Sequence, residues 1–259
     1  FMVIEKYNPK RGFSSPHRVI KKIIFLLVAI VLFQSSAEAR LSKGKKILVF
    51  TKTKGFYHTS IVAGVKAIQQ LGDDNKVQVD TTSDAGFFTS RHLKQYDAIV
   101  FLSTTGDVLN DQQQRAFQQY ISRGGGFVGI HAAADTEYDW PWYNALVGAY
   151  FLSHPQQQQA QLVIRDSTHP STRHLPATWK KWDEWYNYKS IQPHIKVLIT
   201  LEESSYSGGT NGSFHPIAWY HEVNGGRAFY TGLGHTDASF TDPLFLQHLW
   251  GGITYAMKH

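Results

Sequence analysis

The chain has no cysteine. That excludes disulfide cross-links, thiol nucleophiles and thiolate metal sites, so stability has to come from core packing. Charge is sparse: Asp, Glu, Lys and Arg make up 18% of the residues. There is no basic stripe with interleaved aromatics, so nothing in the chain argues for nucleic acid as a partner. No uncharged apolar run reaches the roughly 20 residues that a membrane span needs. There is no internal repeat, and no linker divides the chain after its first forty residues. No histidine pair has the tight spacing of a known metal motif, since "HEV" at His221 is a lone His-Glu.

The one long apolar run, residues 23–33, follows Arg18, Lys21 and Lys22 and precedes Ala37-Glu38-Ala39. Basic start, apolar middle and small residues at the cleavage positions form the three-part pattern of a secretory signal. Cleavage is predicted after Ala39, leaving residues 40–259 as one domain, exported to the periplasm or beyond, with no stable membrane span. The first 39 residues hold six Lys/Arg and two acids, so the net charge of +6 falls to +2 in the remainder. The high isoelectric point therefore says nothing about partners.

What the remainder does contain is a rhythm of apolar runs and amphipathic segments. "KKILVFT" (residues 45–51), "KVQVDTT" (76–82), "YDAIVFLST" (96–104) and "GFVGI" (126–130) have strand length. Most are apolar enough to be buried on both faces of a parallel sheet. Thr59 is placed to cap a helix over residues 60–71, and Asn110 or Asp111 one that runs to Ile121 and ends at Gly124. This βαβαβ order predicts an open α/β sheet with right-handed crossovers. Residues 159–166, 196–202, 216–223 and 226–234 read as further strands, with "NGG" (224–226) as the hairpin turn between the last two. Residues 169–188 read as a loop-rich aromatic stretch, and residues 243–258 as a closing helix with Pro243 in its first turn.

Four polar clusters fall at predicted strand ends, the default ligand edge of such a sheet. They are Lys54, Tyr57, His58 and Ser60; His131, Asp135 and Thr136; Asp183, Glu184, Tyr186 and Asn187; and His235 with Asp237. Loops after the first and fourth parallel strands open on one edge, so His58 is expected beside His131. Each residue also has a plain structural role open to it. His58 could be a surface residue, His131 a bridge between backbone groups, Glu184 a partner for Lys180 or Lys181, and His235 a turn residue. Unperturbed imidazole titrates near pH 6.5 and can exchange protons at neutral pH, and N–H groups of a helix at His131 would favour developing negative charge. Imidazoles with a carboxylate also suit a divalent metal such as zinc. No cofactor is fixed by the sequence.

The motifs "GFYHTS", "GGGFVGIHAAADT", "WDEWYNY", "HPIAWYHEVNGGRAFYTGLGHT" and "FLQHLWGGITYA", in this order, resemble the ThuA-like (trehalose-utilisation) family over residues 45–258. The resemblance implies an open flavodoxin-like, mostly parallel α/β sheet with helices on both faces, the class I glutamine amidotransferase-like fold. In amidotransferases of that fold the elbow after the "GGxxxGI" strand holds a nucleophilic cysteine; here it holds His131, so thiol glutamine hydrolysis is excluded. The resemblance further implies carbohydrate catabolism, with a small-molecule glycoside or keto-glycoside as partner. It places His58, His131, Glu184 and His235 in the pocket, with Tyr57, Asp135 and Trp219 close by to bind substrate. His131 is the expected acid or base, His58 and His235 would bind or polarise sugar oxygens, and Glu184 would orient an imidazole or hold a hydroxyl. A hydrolase, lyase or isomerase of carbohydrates is expected; the alternative is a non-catalytic sugar-binding domain of the same fold. Export should yield a chain beginning at Arg40, which N-terminal sequencing of protein recovered from outside the cytoplasm checks.

Overall fold

The computed structural model describes residues 44–257; the predicted signal segment lies outside them. Strands β1 (Lys46–Phe50), β3 (Ala98–Leu102) and β4 (Gly126–Ile130) are the apolar runs, almost wholly buried as expected for strands covered on both sides. With the more exposed β2 (Gln78–Thr82) and with β11 (Gly226–Thr231) they pair in parallel in the order β2-β1-β3-β4-β11. The sheet then continues antiparallel through β10 (His215–Val223), β9 (Lys196–Glu202), β6 (Gln158–Ile164) and β7 (Thr178–Asp183). A separate antiparallel pair joins β5 (Tyr150–Ser153) to β8 (Asn187–Lys189).

Helices cover both faces, and adjacent residues of β3 show it. Phe101 stacks on Phe117 of the helix Asp111–Ser122, with ring centroids 5.3 Å apart. Leu102 points the other way, against Gly64 of the helix Ile61–Asp74. The closing helix Pro243–Ala256 lies so close to the sheet that a Cβ on Gly252 would sit 2.2 Å from a ring carbon of Phe229. Local signals behave as their chemistry demands. Asn110 and Gln113 form a reciprocal capping box at their helix start. Asn224 and Gly225 both take positive φ, as a two-residue hairpin loop between Val223 and Gly226 requires.

Three expectations need correction. Thr59 is not the helix cap: Ser60 occupies the cap position, and its hydroxyl donates to the carbonyl of Gly234 at 3.2 Å, across to the loop after β11. The second strand starts at Gln78, because Lys76 turns the chain with φ of 58°. The stretch 169–188 is loop-rich but also contains β7, an edge strand that alternates exposed Thr178, Lys180 and Trp182 with buried Trp179, Lys181 and Asp183. Among the described residues no helix is long and apolar enough to cross a membrane. Gly252→Ala should cost about 1–3 kcal/mol by overpacking the helix against the sheet; urea unfolding measures it.

Candidate functional site

Four strands deliver one functional side chain each. The loop after β1 is pinned to Thr105: Lys54 N–H donates to its carbonyl (2.7 Å), Gly55 N–H to its hydroxyl (3.2 Å), and that hydroxyl donates to the carbonyl of Phe56 (2.9 Å). This braced loop leads into His58. His131 is the first residue past β4 and adopts φ of 50°, a left-handed conformation that costs a non-glycine residue on the order of 1–3 kcal/mol. Its carbonyl accepts from the Tyr230 hydroxyl at 2.8 Å. Glu184 follows β7, and His235 follows β11 after the turn at Gly232–Gly234.

The hydrogen bonds assign protons. His131 Nδ1 lies 2.9 Å from the carbonyl of Gly232, which can only accept, so Nδ1 carries hydrogen and Nε2 is the atom left to exchange a proton. That Nε2 faces His235 Nδ1 at 3.0 Å, and His235 Nδ1 is also 3.1 Å from Glu184 Oε2. With that Nε2 unprotonated, His235 Nδ1 is the donor, shared between an imidazole and a carboxylate; with it protonated, Nε2 faces Glu184 as a donor itself. Glu184 Oε2 is 3.4 Å from His131 Nε2. The His58 ring stands edge-on to His131 and His235, at 4.9 and 5.1 Å between centroids. Its buried Nδ1 has no partner among the described residues. One nitrogen or oxygen from each of the four residues falls within 4.8 Å of all the others. Three imidazoles and a carboxylate with an orphaned buried nitrogen are a fitting donor set for a divalent cation.

Electrostatics separate the roles. Burial, reinforced by His131 and His235, pushes His58 down to about 3 and keeps it uncharged. Burial works against the charge on Glu184, but polar contact with His131 and His235 outweighs it and holds the carboxyl well below its usual range. The result is an ionised carboxylate among imidazoles, which suits a cation and resists protonation.

Asp183, beside Glu184 at the end of β7, holds this arrangement. It is fully buried. One oxygen accepts from the N–H groups of Glu184 (3.0 Å) and His235 (3.1 Å); the other accepts from Gly234 N–H (3.0 Å) and the Ser239 hydroxyl (2.9 Å). A residue that sequence reasoning missed is His154, just past β5. Its Nδ1 lies 3.2 Å from the other oxygen of Glu184 and 2.9 Å from the carbonyl of Pro155. His154 has no spacing signal; only the tertiary arrangement brings it to Glu184.

Of the expected substrate contacts, Tyr57 is about half exposed on the loop beside His58. Asp135 is partly buried and accepts from the Tyr138 hydroxyl at 2.6 Å, and burial pushes its carboxyl upward. Trp219 must be corrected. It is fully buried, donates its indole N–H to the carbonyl of Val147 and stacks on Tyr230, so it is a core residue that no ligand reaches. The helix expected at His131 is only a four-residue 3-10 turn, His131–Ala134, too short to supply a helix-end anion site. His221 is buried and bonded to the carbonyl of Ala145, a structural role.

The family model described as trehalose utilisation, ThuA, matches residues 46–256. The chain belongs to the ThuA family. Among solved structures it is similar to a ThuA-like protein from Bacteroides uniformis, at 25% identity and a TM-score of 0.70, covering 83% of this chain and 93% of that one. A ThuA-like protein from Parabacteroides merdae follows at 23% identity and 0.69, covering 83% and 91%. A β-galactosidase from Bacillus circulans sp. alkalophilus shares the fold over 82% of this chain and 30% of its own, at 11% identity and 0.54. No curated protein matches the chain. This ThuA-family domain thus combines a mostly parallel α/β sheet with a histidine at the elbow after β4.

Two predictions follow from the site. Asp183→Asn turns an amide N–H2 toward donors that need an acceptor, and should lower stability by about 2–5 kcal/mol in urea unfolding. Acid should weaken the metal-free fold early. Burial pushes His58, His221 and His248 down to about 3, about 4 and about 3, from 6.5. Below about pH 6.5 the unfolded chain gains these protons and the fold does not. Stability is therefore present above that pH and is lost as pH falls, by up to about 1.4 kcal/mol per pH unit for each imidazole. The depressed Glu184 adds to the loss below about pH 4.5, whereas Asp135 and Glu137, raised by burial, oppose it. Urea midpoints at pH 8, 6 and 5 test this; equal midpoints would contradict it.

Proposed function

We propose that this ThuA-family chain is an exported carbohydrate-active enzyme that acts on a glycoside or keto-glycoside at His58, His131, Glu184 and His235. The observation that carries the proposal is the convergence of these four side chains, from four strand ends, on one point. The family description, trehalose utilisation, supplies the substrate class. The contact of His131 Nδ1 with Gly232 leaves Nε2 as its free nitrogen, which suits that atom to take a proton from a hydroxyl or from carbon next to a carbonyl. Glu184, ionised and in contact with His131 and His235, offsets positive charge as the proton arrives. His58, buried and uncharged, offers a nitrogen lone pair or N–H to a sugar oxygen.

A divalent cation such as zinc, held by His58, Glu184, His235 and His131 through its Nε2, is the alternative use of the same cluster, because it would occupy the lone pair that His131 otherwise needs as a base. Bound there, it would polarise a sugar carbonyl or hydroxyl. Four protein donors fill a tetrahedral site, so a catalytic cation must accept more than four ligands.

The test incubates the purified chain with trehalose, other disaccharides and their 3-keto forms, and follows products by mass spectrometry. Wild type should give product, and His131→Ala should lose at least about 100-fold in turnover while keeping its fold. If the cluster works through a cation instead, chelator should abolish product formation and zinc should restore it. An active His131→Ala variant would sink the role of His131. Saturable sugar binding without product would make the domain a sugar binder, and indifference to chelator would remove the metal.

A further inference from the structure

We propose that Phe56 is a stacking platform for the apolar face of a pyranose ring, holding the ring's hydroxyl edge toward the His58–His131–Glu184–His235 cluster. This rests on the carbohydrate function proposed above. Phe56 is 67% exposed, the most exposed large hydrophobic residue of the described chain. Its ring meets the His58 ring edge-on, 4.8 Å between centroids at 81°. His58 in turn stands edge-on to both His131 and His235, so a single imidazole separates the exposed phenyl ring from the centre of the cluster.

The exposure is not that of a loose loop. The residues leading to Phe56 are tied to Thr105 by three hydrogen bonds, one of them to the carbonyl of Phe56 itself. Beneath them lies Gly106, with φ of 73°; a Cβ there would come within 3.0 Å of Lys54 Cβ and 3.3 Å of Gly55 N. A pinned backbone that holds an apolar ring in water beside a polar cluster loses burial it could otherwise gain, and gains it back when a ligand covers the ring. The ligand that fits is one with an apolar face and a polar rim. A pyranose has both: its C–H groups form a face of about aromatic size, and its hydroxyls ring the edge. Stacking is indifferent to the hydroxyl pattern, so Phe56 would confer affinity for the ring and leave discrimination among sugars to the cluster.

The experiment uses the full chain loaded with zinc. Trehalose and 3-keto-trehalose are titrated by calorimetry, with acyclic sorbitol as the polyol control, and bound zinc is counted in each variant. Phe56→Ala should weaken binding of the cyclic sugars about tenfold or more, the equivalent of about 1.4 kcal/mol, with zinc content and melting temperature unchanged. Phe56→Trp should bind them within a few-fold of wild type, and sorbitol should bind equally to all three proteins. Unchanged sugar affinity in Phe56→Ala, in a wild type that does bind, overturns the platform and leaves the carbohydrate function standing. Weaker sugar binding accompanied by lost zinc also overturns it, because Phe56 would then serve only to pack His58. A wild type that binds neither sugar overturns the carbohydrate function and the platform with it.

Discussion

One buried carboxylate holds the site together. Asp183 accepts four hydrogen bonds, and their donors belong to the end of β7, the loop after β11 and the turn that begins beyond it. A buried charge is tolerated only when its lone pairs are met, and here each oxygen has two donors. The same four bonds fix the backbone at Glu184 and His235, so the distance between those side chains is set by a residue that touches no ligand. Hydrogen bonds to ionised acceptors are stronger than neutral ones, which makes this tie stiffer than an equal number of turn contacts.

A second carboxylate works in the same way on the neighbouring loops. Glu137, buried and at φ of 56°, accepts from the N–H groups of Val108 and Leu109 and from the Gln114 amide, joining the loop after β3 to the one after β4. His131 is held between these two ties, its strained backbone anchored by Tyr230 and its ring by Gly232. The backbone strain at His131 has a geometric consequence: it turns the side chain off the end of β4 and into the space shared with His235 and Glu184. Precision at the centre therefore depends on groups that lie outside it.

Much of this was legible in the sequence where one physical signal dominated. Buried parallel strands leave apolar runs, so β1, β3 and β4 could be read directly, and position 131 followed as the residue just past a core strand. Asn110 with Gln113, and Asn224 with Gly225, were legible because capping and hairpin geometry each demand few residue types. β7 was not, since an edge strand with lysine and tryptophan in alternation looks like aromatic loop. Four of the polar site residues were named from strand ends, because topology brings those ends to one edge. Asp183 stood in the right motif, but nothing in one dimension says that four backbone and hydroxyl donors will surround it. Trp219 misled for the converse reason: an aromatic residue near a polar motif does not declare whether it faces the ligand or the core.

The order of the sheet has a consequence for how the molecule comes into being. β11 is the last strand in the chain, yet it lies between β4 and β10 in the middle of the sheet. As the polypeptide leaves the ribosome, β1 to β4 can assemble first, and the edge of β4 then stands open with its backbone groups unpaired until residues 226–231 arrive. The two halves of the sheet become one body only when that late strand is inserted. Its insertion also carries His235 to His131, so the four-residue cluster is completed only at that late step. A chain cut before β11 would expose a long unpaired edge and lack its site in the same stroke.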